Sequence, residues 1–160
     1  MKDLKSRTCC FTGHRRIPPE DAELIVQRAE ECIRGLYERG VRFFRVGGAI
    51  GFDTMMAQLL FRLRDSGLSD IKVSLFFPFD GFTDGWTDEQ KTLYAVLLPQ
   101  YDDVLRVSDE AGREAYLARD RALVDGAAYC IAYCTRQRSG AAYTVRYALT
   151  KNVNVCRIEK

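Results

Sequence analysis

Six short apolar runs, each separated from the next by a segment of helical length, constrain this chain more than any other feature. The runs are residues 5–11, 42–46, 71–77, 104–107, 127–134 and 153–158. After the first, Ala22, Ile25, Val26, Ala29, Ile33 and Leu36 recur at helical spacing within residues 20–39, until Gly40 ends the pattern. Residues 54–66 and 113–124 also read as helices. Thr87 and Gln90 stand at capping-box spacing and predict a helix reaching residue 98, and Ser139 caps another reaching residue 150. Strands alternating with helices build a mostly parallel sheet of six strands with helices on both faces. The chain's 160 residues suit one domain spanning 1–160.

Two glycine-bearing turns follow the first two runs directly: Gly13-His14-Arg15 behind residues 8–11, and Gly47-Gly48-Ala49-Ile50-Gly51-Phe52-Asp53 behind residues 41–46. Glycine lets backbone N–H groups approach an anion, and a helix starting beyond the turn adds its positive dipole end. In parallel α/β sheets ligands sit beyond the carboxyl ends of the strands, where the strand order reverses. The expected guest is a phosphate-bearing small molecule.

Most side chains expected on that rim have a second reading. Gly13, His14 and Arg15 offer a backbone donor, an imidazole and a guanidinium, or simply form a solvated surface turn. Gly47, Gly48 and Gly51 permit close approach, while Asp53 caps a helix, accepts from a ribose hydroxyl or acts as a base. In the loop 78–86, Phe79, Phe82 and Trp86 stack on a planar ring and close over the site, or form a local apolar plug. Arg119 and Asp120 reach a phosphate and a sugar, or pair with each other. Ser139 and Gly140 open a further helix, with Arg136 and Arg138 adding positive charge just before it.

Charge and cysteines exclude some classes. Lys and Arg number 24 against 22 Asp and Glu, so a net charge of +2 gives no general affinity for polyanions. The six cysteines lie in apolar or helical runs and read as reduced, buried thiols. With one histidine, His14, and no Cys-x-x-Cys, no metal site is expected. The charged segment 1–7 lacks the long apolar stretch of a signal peptide, and no run nears the roughly 18 residues of a membrane span. A cytoplasmic protein without membrane contact is expected.

The stretches Phe11-Thr12-Gly13-His14-Arg15, residues 47–53, Tyr116-Leu117-Ala118-Arg119-Asp120 with Val124-Asp125, and Tyr143-Thr144-Val145-Arg146-Tyr147-Ala148 resemble the YpsA-like family of the SLOG superfamily. That family is related to the LOG nucleotide hydrolases and the DprA DNA-processing proteins. The resemblance implies a Rossmann-like three-layer sandwich with a pocket for a nucleotide derivative, such as an ADP-ribose-like or NAD-like molecule. Two positions depart from the family pattern. Arg119-Asp120 stands where Arg-Asn is usual, and Ser139-Gly140-Ala141 where Gly-Gly-Thr is frequent. The Pro-Gly-Gly-x-Gly-Thr-x-x-Glu stretch resembling the catalytic part of the LOG hydrolases is missing, so their phosphoribohydrolase activity does not carry over.

Three functions fit these residues. The first is a sensing or regulatory module that holds the nucleotide derivative, needs no other cofactor, and signals to a protein partner or a second copy of itself. The second is a hydrolase of an N-glycosidic or phosphate bond, with Asp53 or Asp120 as base or ribocation stabiliser. Single-stranded nucleic-acid binding, suggested by the DprA kinship, ranks last because of the near-neutral charge.

Overall fold

The computed structural model describes residues 3–159; Met1, Lys2 and Lys160, and with them the very start of the charged N-terminal segment, lie outside the described residues. The elements run β1 (Thr8–Gly13), α1 (Ala22–Glu38), β2 (Phe43–Val46), α2 (Phe52–Asp65), β3 (Lys72–Phe77), α3 (Asp88–Leu97), β4 (Asp103–Arg106), α4 (Arg113–Val124), β5 (Tyr129–Tyr133), α5 (Gly140–Thr150) and β6 (Asn154–Arg157). All strand pairs are parallel, in the order β4-β3-β2-β1-β5-β6. The chain steps outward from β1 to β4, then crosses back over the sheet to lay β5 against the other side of β1. That reversal opens a crevice at the carboxyl ends of β1 and β5.

Alternation along the central strands divides the core. Cys9, Phe11, Ile131 and Tyr133 point into the cluster under α1, α2 and α3, while Cys10, Cys130 and Ala132 point into the cluster under α4 and α5. Burial on both faces explains why these strands read as continuous apolar runs. The edge strand β4 is exposed along its whole length.

Several boundaries shift for local reasons. The first strand starts at Thr8 rather than residue 5, because residues 5–7 form a 3-10 turn whose exit is held by the Thr8 hydroxyl donating to Leu4 C=O at 2.7 Å. The capping box forms as expected, with Gln90 N–H donating to Thr87 Oγ1 at 3.1 Å and Thr87 N–H to Gln90 Oε1 at 3.0 Å. That helix ends at Leu97, where Pro99 brings in a 3-10 turn. All six cysteines are unpaired; four are buried, whereas Cys32 and Cys156 are only half-buried. No helix among the described residues is long and apolar enough to cross a membrane.

Candidate functional site

At the crevice between β1 and β5 lies a cleft of about 710 Å³. It is lined by Gly13, His14 and Arg15 from the first turn, Asp53 from α2, Arg119 and Asp120 from α4, and Ser139 and Gly140 at the start of α5. These segments, 126 residues apart from Gly13 to Ser139, meet because the reversal of strand order sets β1 beside β5.

Gly47, Gly48, Gly51 and Trp86 do not line the cleft, and their surroundings explain why. The second turn is packed onto the first. Phe52 N–H donates to His14 C=O at 3.1 Å, so the first amide of α2 is already taken. Gly51, at φ +81°, lies so close to Arg15 that a Cβ would sit 2.2 Å from its carbonyl oxygen. A Cβ on Gly13 would meet the Phe52 ring at 2.3 Å. At Gly47 a Cβ would crowd the Arg119 guanidinium and the Asp53 carboxylate, both at 2.9 Å, while Gly48 packs on Leu75. The second turn therefore shapes the wall behind the cleft. Trp86 packs edge-on against Phe82 and Tyr94, in the apolar plug.

In the cleft wall, one buried arginine serves two carboxyls. Arg119 is 5% exposed; its Nε donates to Asp120 Oδ1 at 2.9 Å and its Nη1 to Gly47 C=O. Asp53 accepts the Ala49 N–H at 3.2 Å. Burial pushes the Asp53 carboxyl up from 3.8 to about 6, against the pull of Arg119 and the Ala49 amide. Burial also raises Asp120, again opposed by Arg119. Because the folded Asp53 holds its proton to higher pH than the unfolded chain does, folding loses stability as pH rises from about 4 to 6. Asp53→Asn, which keeps the acceptor for Ala49, is expected to gain about 2–3 kcal/mol at pH 8 and nothing near pH 4. Urea melts at the two pH values check this, and an equal effect at both would remove burial of the charge as the cause.

His14 is 5% exposed. Its Nε2 accepts Thr135 N–H at 2.8 Å, and its Nδ1 lies 3.4 Å from Arg136 Nη2. Burial and the Arg136 charge lower its pKa, against a smaller opposing pull from Glu159, so the ring is neutral at pH 7. At α5, Ser139 Oγ accepts Ala142 N–H at 3.0 Å. The earlier amides, Gly140 and Ala141, have no intrahelical acceptor.

The family model YpsA, the YspA SLOG family, matches residues 12–156. The chain belongs to this SLOG family. A UPF0398 protein of Staphylococcus epidermidis is 23% identical over 134 residues, covering 78% of this chain and 71% of its own length. DNA processing protein A (DprA) of Streptococcus pneumoniae superimposes with a TM-score of 0.66 at 19% identity. The same protein from Helicobacter pylori, known for a single-stranded DNA binding mode, does so with a TM-score of 0.65 at 14% identity. Each superposition covers 96% of this chain, which spans 50% of the first DprA chain and 65% of the second. These likenesses show a shared Rossmann-like fold.

In this SLOG chain, part of the cleft escaped the reading of turns. Beside the expected Asp120, Arg113, Tyr116 and Leu117 line it from α4, and beside the expected Gly140, Tyr143 and Arg146 line it from α5. Their three- and four-residue spacing puts each set on one helix face, a signal hidden because it is polar and aromatic rather than apolar. Arg15 lies over the Tyr116 ring at 5.2 Å, and Phe79 meets that ring edge-on at 5.3 Å, tying the loop 78–86 to the cleft wall.

Proposed function

We propose that this SLOG protein binds a nucleotide or nucleotide-derived small molecule in the cleft between β1 and β5, as a sensing or regulatory module. One observation carries this reading: Arg15, Arg113, Arg119, Arg136, Arg138 and Arg146 line a single cleft against the carboxylates Asp53 and Asp120. The excess charge is local, since the whole chain is only +2. Guanidinium groups suit phosphate oxygens through bidentate hydrogen bonds, and Tyr116 and Tyr143 give planar faces for a base. The volume, about 710 Å³, falls in the range of small-molecule sites. Isothermal titration with ATP, NAD, ADP-ribose and cyclic dinucleotides is expected to yield one saturable ligand, at 100 times its Kd adding about 2.7 kcal/mol to stability. Silence against all of them would overturn the proposal.

Asp53 supports hydrolysis as a second reading. A carboxyl held at about 6 on the cleft wall is suited to take a proton from water near neutral pH. Incubation with nucleoside monophosphates and NAD, followed by chromatography, is decisive; unchanged substrate at high protein concentration refutes it. The DprA likeness and the arginine-lined cleft also support single-stranded DNA as an occupant, which a gel shift that weakens with salt would reveal.

A further inference from the structure

The hydrogen bonds of His14 leave a proton facing the wrong partner. A neutral imidazole carries one N–H, and Nε2 has its lone pair engaged by the Thr135 amide at 2.8 Å. The proton therefore sits on Nδ1. There it faces Arg136 Nη2 at 3.4 Å, and a guanidinium has donors only. Two donors thus converge with no acceptor between them. The imidazole is nine-tenths buried, His14 and Arg136 both line the cleft, and Arg136 makes no ion pair among the described residues. The opposing charge that acts on the ring is Glu159, whose own oxygens accept from Cys134 N–H at 3.1 Å and Arg157 Nε at 2.7 Å.

Resting on the nucleotide reading of the cleft, we infer that His14 Nδ1–H and the Arg136 guanidinium form a clamp for one anionic oxygen of a phosphate group, in a cleft that Gly140 and Ala141 at the start of α5 also line. An oxygen between the two donors satisfies both, and the anion offsets the Arg136 charge. The clamp selects phosphorylated ligands over bare nucleosides. His14 recognises the anion while neutral, so binding does not await an imidazolium.

His14 is the only histidine, so one set of imidazole signals reports on the clamp. In the 15N-labelled protein at pH 7, long-range 1H–15N spectra are expected to show Nδ1 protonated and Nε2 bare, with the Nδ1 resonance moving on addition of ADP or inorganic phosphate. His14→Gln keeps an acceptor for Thr135 N–H while removing the Nδ1 donor, and Arg136→Gln removes the second half. Each is expected to weaken ADP at least tenfold in titration calorimetry and to leave adenosine within twofold. The reverse tautomer, or ADP affinity unchanged in both variants, overturns the clamp while leaving the cleft reading intact. If no nucleotide binds yet phosphate still moves the Nδ1 resonance, the clamp stands and the nucleotide reading falls. If neither ADP nor phosphate moves it, the clamp is wrong.

Discussion

Arg119→Met is expected to cost about 3–5 kcal/mol of folding stability at pH 8, measured by urea unfolding. Methionine matches the aliphatic stem, so the loss falls on the charge and its hydrogen bonds. Two acceptors depend on this guanidinium, Asp120 Oδ1 at 2.9 Å and the Gly47 carbonyl, and its charge also holds Asp53 below the pKa that burial alone would impose. Removing one partner of a buried ion pair leaves the other charge desolvated and unpaired, far costlier than losing a surface pair. Both members are well buried here, at 7% and 13% side-chain exposure, so solvent screening gives little relief.

The sign of the pH dependence separates this cause from simple loss of packing. Burial raises both carboxyls and Arg119 opposes the rise, so deleting the cation lifts both further. A carboxyl whose folded pKa exceeds its unfolded value destabilises the fold as pH rises through the interval between them, and contributes nothing below it. The penalty in the variant is therefore expected to be largest at pH 8 and to shrink toward pH 4 as the two acids take up protons. Adding Asp53→Asn to Arg119→Met is expected to recover part of the loss at pH 8. A loss of the same size at both pH values would place the cause in packing and sink the electrostatic account.

This triad also shows where local pattern stops informing. Strand and helix order was legible because the central parallel strands, buried on both faces, are largely apolar and the helices keep a three-to-four period; Arg113–Val124 falls where its pattern placed it. The caps at Thr87 and Ser139 were legible because each bond spans three residues. Arg119 reads as a phosphate contact or a structural ion pair, and Asp53 as a helix cap, a ribose contact or a base; no local pattern links the two, because their relation spans 66 residues and exists only once α4 lies over the turn after β2. The place of the Trp86 loop beyond β3 fits a ring-stacking lid and an apolar plug alike, and only packing on Tyr94, on the helix that follows the loop, decides for the plug. His14 was legible as a candidate, but its proton position depends on Thr135, beyond β5.

Gly51→Ala is expected to be nearly as damaging, through backbone geometry rather than charge. At φ +81° an L side chain costs about 1–2 kcal/mol, and a Cβ placed 2.2 Å from the Arg15 carbonyl oxygen forces backbone to move, for about 1–3 kcal/mol more. Gly67→Ala supplies the control. Gly67 also has positive φ, at +129°, but a Cβ there meets nothing within 4 Å, so its cost is confined to backbone strain. The difference between the two variants measures how tightly the turns interlock. Because Phe52 N–H holds the His14 carbonyl and Gly51 abuts Arg15, prying the turns apart displaces the residues that line the cleft. Gly51→Ala is thus expected to lower ligand affinity even under conditions where the variant stays folded, whereas Gly67→Ala leaves affinity unchanged. Equal losses of stability in both, with affinity intact, would mean that the second turn tolerates a side chain and that the cleft wall does not depend on its glycine.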